Sequence, residues 1–172
     1  MSDYKSRGGI RCVGSIVKSN ISFIRLQDFT NEVLADGVSR GKEFKVGKIN
    51  KDTIQELEKL DITLAENDVI LRDDVIIKYV KHTKQTKGAT LPFNRFNMLK
   101  NIINNPKHIF IDNKRKNLVL VFAGKFTKDR IIKAIVHPNF EIKKKNRKFN
   151  KIISIGVIDK RNLYNQDWIK IK

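Results

Sequence analysis

Residues 108–158 read HIFIDNKRKNLVLVFAGKFTKDRIIKAIVHPNFEIKKKNRKFNKIISIGVI, and the expected fold grows out of this segment. It contains four short apolar runs, HIFI, NLVLVFAG, RIIKAIVHP and KIISIGVI, rich in β-branched residues and separated by DNKRK, KFTKD and a longer basic linker. Runs of this length and composition between polar breaks predict strands, and their close succession predicts an antiparallel meander. LVLVF and IISIGVI are apolar almost throughout, which suits central strands with helices over one face of a twisted sheet.

Upstream, the apolar period lengthens. Val75, Ile76, Tyr79 and Val80 recur at helical spacing and predict a helix over residues 73–82. Gly88 and Pro92 interrupt the chain. FNRFNMLKNII then places Phe93, Phe96, Leu99, Ile102 and Ile103 on one face, a second helix that Pro106 must end. Residues 1–60 have a less regular pattern. The runs IRCVGSIV and ISFIRL within residues 10–26, and EFKVGKI at 43–49, read as strands. Asp28 is expected to cap a short helix that ends near Gly37, and Asp52 to cap TIQELEKL. The expected fold class is α+β: two helices followed by a twisted antiparallel sheet of about four strands, with a small N-terminal α/β accessory unit. The expected organisation is an accessory region over 1–60 and an RNase-like or nucleic-acid-binding domain over 61–172.

The chain of 172 residues carries 36 Lys plus Arg against 18 Asp plus Glu, a formal charge of +18. A composition with 24 Ile and 16 Asn is also what A+T-rich coding would supply, so basicity alone is a discounted clue. Its distribution says more: residues 101–172 hold 18 basic and 5 acidic groups, against 11 and 8 in residues 1–60. A field of that sign attracts polyanions before any specific contact forms. The polar start, MSDYKSRGG, and the lack of any apolar run of 18 residues point to a cytoplasmic chain without a membrane span. Cys12 is alone, and the three histidines follow no zinc-site spacing. No HExxH, Walker loop or GxSxG elbow occurs, which disfavours metalloprotease, P-loop and serine-hydrolase chemistry. No cofactor or metal is implied.

Histidine, lysine, arginine and hydroxyl groups remain, a set sufficient for metal-independent RNA cleavage. A base takes the 2′-hydroxyl proton, cations stabilise the phosphorane, and an acid protonates the departing 5′-oxygen. His82, in YVKHTKQTK, is the leading acid–base residue because an imidazole titrates near neutrality and cations surround it. His137, at the exit of the RIIKAIV strand, is the second, and Ser154 could orient a phosphate oxygen. Lys84, Lys87, Arg130, Lys133 and Arg147 are candidate phosphate contacts, joined by the linker cations Lys143, Lys144, Lys145 and Lys148. Tyr79, Phe93, Phe96, Phe126, Phe149, Tyr164 and Trp168 are possible stacking surfaces, most of them expected in the core, Phe93 and Phe96 above all; Phe149 in KKKNRKFNK is the aromatic whose basic surroundings most favour RNA contact.

The order of KYVKHTKQ, NNPKHIFID, NLVLVFAG, RIIKAIVHP and NKIISIGVIDKRNLY, spanning about residues 61–165, resembles the nuclease domains of the barnase, EndoU, colicin E5/D and RelE-like group, especially its phage-associated branch. The resemblance implies a metal-independent endoribonuclease or toxin-like activity, with RNA as the partner. It matches His82 to a histidine at the end of the first helix and Ser154 to a closing-strand Ser or Thr. The competing expectations are a non-catalytic nucleic-acid-binding module of the same fold, contacting RNA or DNA, and a phage-encoded inhibitor that binds a host nucleic-acid enzyme. Residues 1–60 could then bind a partner, a substrate or an inhibitor protein.

Overall fold

The computed structural model describes residues 14–81, 91–125 and 129–172, and their side chains from 25–80, 91–122 and 129–172. A seven-stranded sheet organises these residues. Its strands are β1 (Glu43–Lys48), β2 (Asp68–Arg72), β3 (His108–Asp112), β4 (Asn117–Lys125), β5 (Arg130–Ile142), β6 (Arg147–Asp159) and β7 (Trp168–Lys170). They lie in the order β1-β2-β6-β5-β4-β3-β7. The four runs of 108–158 form the antiparallel meander β3 to β6, with interior β4 and β6, because each connection is short enough for a hairpin.

The fold class is nevertheless corrected: the structure is mixed α/β, with seven strands and four helices among the described residues in place of two helices and about four strands. The N-terminal part supplies β1, which pairs antiparallel with β2, and β2 lies parallel to β6 through Val69 and Ile70 opposite Asn150 and Lys151. β7 extends the other edge against β3. These additions are long-range pairings, which local apolar periodicity does not encode.

The largest local difference is α1 (Gly14–Asp36), one helix where two strands and a short helix are expected. Short apolar runs do not distinguish strand from buried helix. Here Leu26, Thr30 and Val33 are buried at helical spacing, and Asp28, instead of capping, stands exposed in the helix interior. The end near Gly37 is as expected. Its φ of 66° suits glycine, and its amide donates to the Val33 carbonyl. In α2 (Lys51–Glu58) Asn50 takes the capping role expected of Asp52: its Oδ1 accepts from Thr53 N at 2.8 Å, while Asp52 occupies the first turn. α3 (Asp73–Lys81) agrees with the expected helix as far as it is described. α4 (Met98–Asn104) is shorter than expected, because Phe93–Arg95 forms a 3₁₀ turn after Pro92.

All four helices bury their apolar side chains in one cluster on one face of the sheet, against Ile109, Ile111, Leu118, Leu120, Ile132, Val136, Ile152 and Val157. Tyr79, Phe93 and Phe96 pack there with centroids 4.9–5.7 Å apart. Burial pushes the Tyr79 phenol up to about 12, and its hydroxyl donates to the Leu91 carbonyl at 2.8 Å. The opposite face carries a smaller cluster, Phe110, Val119, Val121, Ile131 and Ile158, with Leu163 and Trp168 packed on it. No described helix is long and apolar enough to cross a membrane.

Asp73, at the start of α3, holds the approach to β1. It accepts from Ser39 Oγ at 2.8 Å, Arg40 N at 2.6 Å and Lys42 N at 3.0 Å. Burial opposes its charge, but these donors outweigh burial and leave its pKa below 3.8. A depressed folded value stabilises the fold above the unfolded pKa and is lost as pH falls through the folded one. Asp73→Asn is expected to cost about 2 kcal/mol in urea unfolding at neutral pH. It is also expected to remove this contribution to the fall in stability below 3.8.

Candidate nucleic-acid interface

The second, helix-free face of the meander holds the chemistry, and its centre is an irregularity in β5. Pro138 cannot donate to the ladder, and the pairing of β5 with β6 shifts register between His137 and Phe140. Asn139 takes a left-handed φ of 53° there, a conformation that asparagine tolerates better than branched residues. Its side chain clamps the loop before β2: Nδ2 donates to the Thr63 carbonyl and Oδ1 accepts from Ala65 N, both at 2.7 Å. Fully buried Asn150 locks the same junction. Its Nδ2 donates to the carbonyls of Glu66 at 2.6 Å and Asp68 at 3.2 Å, and its Oδ1 accepts from Asn139 N at 3.3 Å.

A third element meets them at the β3–β4 turn. Asp112 Oδ1 accepts from the amides of Lys114 and Arg115, and Lys116 closes the turn with φ 54°. Together the loop, bulge and turn enclose a groove of about 430 Å³, lined by Asp61, Thr63, Arg115, Lys116, His137 and Asn139 among others. Three of the four non-glycine residues with positive φ among the described residues, Asp61, Lys116 and Asn139, line this one groove. Such backbone is held only where its surroundings over-determine it, and it gathers at functional sites.

His137 is oriented inside this frame. Its Nδ1 lies 2.8 Å from Oδ1 of buried Asn117, a contact that in the neutral imidazole favours the Nδ1–H form with the lone pair on Nε2. Phe140 meets the imidazole edge-on at 5.9 Å. The cross-strand partner of His137 is Lys151, almost buried, whose ammonium lies 4.5 Å over the Phe140 ring and 2.8 Å from Asp74 Oδ2. Lys78 and Arg72 also approach Asp74, at 3.8 and 3.9 Å. One carboxylate thus answers three cations, while the groove lining itself sets Arg115 and Lys116 against Asp61. An oriented imidazole with an available lone pair, flanked by Arg115 and Lys116, can accept a proton next to an anion that those cations hold.

The other expected site residues are dispersed. His82, Lys84 and Lys87 lie outside the described residues. Ser154 is half-buried on β6 opposite Ile135, two residues along β5 from His137 and on the same face. Arg130 opens β5 opposite Asp159. Lys133 lies 5.2 Å over the Trp168 ring. Lys143, Lys144 and Lys145 form an exposed 3₁₀ turn at the β5–β6 hairpin tip, and Lys148 is exposed after it. Arg147 is turned away to Glu43 at 2.6 Å. Phe149 is fully buried beneath the Arg147 guanidinium and against Phe140, so its ring presents no stacking surface.

The groove brings in residues that the sequence does not nominate: Arg115, Lys116, Asn117 and Asn139. The available signals are KRK at 114–116 and the polar HPN that interrupts an apolar strand. Neither reveals the strand register that sets Asn117 beside His137. Replacement of Asn117 by Ala is expected to release the imidazole. Ring ¹⁵N shifts of neutral His137 should report the Nδ1–H form in the parent chain and a mixture of tautomers in the variant. No protein-family model matches the chain, and no curated protein or solved structure is significantly similar to it.

Proposed function

We propose that this protein is a metal-independent endoribonuclease that takes the scissile phosphate at the His137 groove. The observation that carries the reading is the Asn117–His137 pair, whose imidazole lines one groove with Arg115 and Lys116. Nε2 removes the 2′-hydroxyl proton as the 2′-oxygen bonds to phosphorus, the two cations stabilise the negative charge on the phosphorane oxygens, and the P–O5′ bond breaks as an acid gives the 5′-oxygen a proton. The sequence nominates His82, which lies outside the described residues, as a further acid–base group. The order of sequence segments that resembles the barnase and RelE-like nuclease group points to the same reaction class.

The purified chain is expected to cut RNA in EDTA and leave 2′,3′-cyclic phosphate ends. His137→Ala should lower the single-turnover rate by about 10²–10⁴-fold while RNA binding persists. An unchanged rate removes His137 from the reaction.

The exposed Lys143, Lys144, Lys145 and Lys148 favour a second reading, retention of RNA without cleavage. In either case reversal of these four to Glu should weaken binding. The slope of log affinity against log salt should become shallower by about 0.7 for each single-strand phosphate that the protein no longer neutralises. Binding with this salt behaviour but no product in EDTA would select the second reading.

A further inference from the structure

A second groove lies on the same sheet face, between β3, β7 and the 3₁₀ turn Lys160–Tyr164. It has a volume of about 490 Å³ and is lined by Phe110, Leu163, Tyr164, Trp168, Lys170 and His108 among others. Tyr164 is 88 % exposed. It is carried on a fixed turn, because Asp159 accepts from Arg161 N at 2.9 Å and binds the Arg161 guanidinium at 3.0 and 3.1 Å. Trp168 rests on Phe110, with ring centroids 5.7 Å apart, beneath the Lys133 ammonium. The groove therefore joins aromatic surfaces to cations, and among the described residues no carboxylate lines it.

Its position matters as much as its chemistry. The strand register puts Trp168 opposite Asp112, Asp112 opposite Asn117, and Asn117 beside His137, in one row across β7, β3, β4 and β5. Three strand spacings separate the ends of that row, about 14 Å. A short single strand can span this distance with its phosphates over the cations. Charge then selects the occupant: an apolar peptide offers no anion to Lys170, whereas a nucleotide offers both a ring to stack and a phosphate to pair.

Resting on the reading that the chain binds RNA, we propose that this groove is a stacking subsite for an unpaired base of the strand held at His137, with Tyr164 and Trp168 as the stacking surfaces. His108 belongs to the same environment: burial and the charges of Lys170 and Lys107 lower its pKa, so it adds a neutral ring rather than a further cation at neutral pH.

Trp168 is the only tryptophan of the chain, so its fluorescence reports on this groove directly. The full chain is titrated with a short 2′-O-methyl oligoadenylate, which has no free 2′-hydroxyl to attack, and binding is followed by anisotropy in parallel. Saturable quenching at the same affinity is expected. Tyr164→Ala should weaken binding about tenfold, whereas Tyr164→Phe, which keeps the ring, should stay within about twofold. Heparin, a polyanion without bases, should bind without comparable quenching. Oligonucleotide binding with unchanged Trp168 emission, a Tyr164→Ala affinity equal to that of the parent, or equal quenching by heparin would each overturn the subsite. Cleavage in EDTA separates the two proposals: quenching without cleavage refutes only the nuclease reading, and cleavage without quenching refutes only the subsite.

Discussion

The buried carboxamide of Asn150 joins the parts on which the His137 groove depends. It ties the backbone before β2 to β6 and accepts the amide of Asn139, so the parallel β2–β6 pairing, the β5 bulge and the loop at 61–66 are held at one point. A buried polar group of this kind is costly unless its bonds are made, and each bond here goes to backbone that strand pairing leaves over. The irregular backbone at Asn139 is held by this network, whereas Asp61 turns left-handed at the end of α2, where Ile62 N donates to the Leu57 carbonyl.

Charge follows a similar logic. Several carboxylates near the open face are already engaged with the protein itself: Asp112 with its own turn, Asp159 with Arg161, and Asp74 with Lys151. The Arg161 guanidinium and backbone amide hold Asp159 down to about 2, so it stays ionised across the physiological range. What is left toward solvent is largely cationic, at Arg115 and Lys116, at the hairpin tip and beside Trp168. Part of the positive surplus is therefore displayed at the hairpin tip and at the groove, where Arg115 and Lys116 stand with Asp61.

Local pattern carries much of the architecture. The meander of β3 to β6, the strand at 43–48, the helix from Asp73 and the stop at Pro106 all follow from periodicity and breakers acting over a few residues. Residues 14–26 defeat the same reasoning, because alternating short apolar runs suit a strand as well as a helix until a partner surface decides between them. Of the site, His137 and Ser154 are visible as polar residues in apolar strands. Phe149 is visible as an aromatic among cations but is fully buried, covered by Phe140 and by the guanidinium of Arg147, which reaches past β2 to Glu43.

The sign and location of the charge, the order of the meander and the short list of groups able to move protons are all properties of the amino-acid sequence alone. Tertiary packing was needed to extend the sheet beyond β6 with β2 and β1, to bring Asn117 to His137, and to stand Arg115 and Lys116 beside them. Those residues are separated by about twenty positions along the chain yet paired across adjacent strands. Strand register, a long-range property set by the packing of the whole sheet, creates the site.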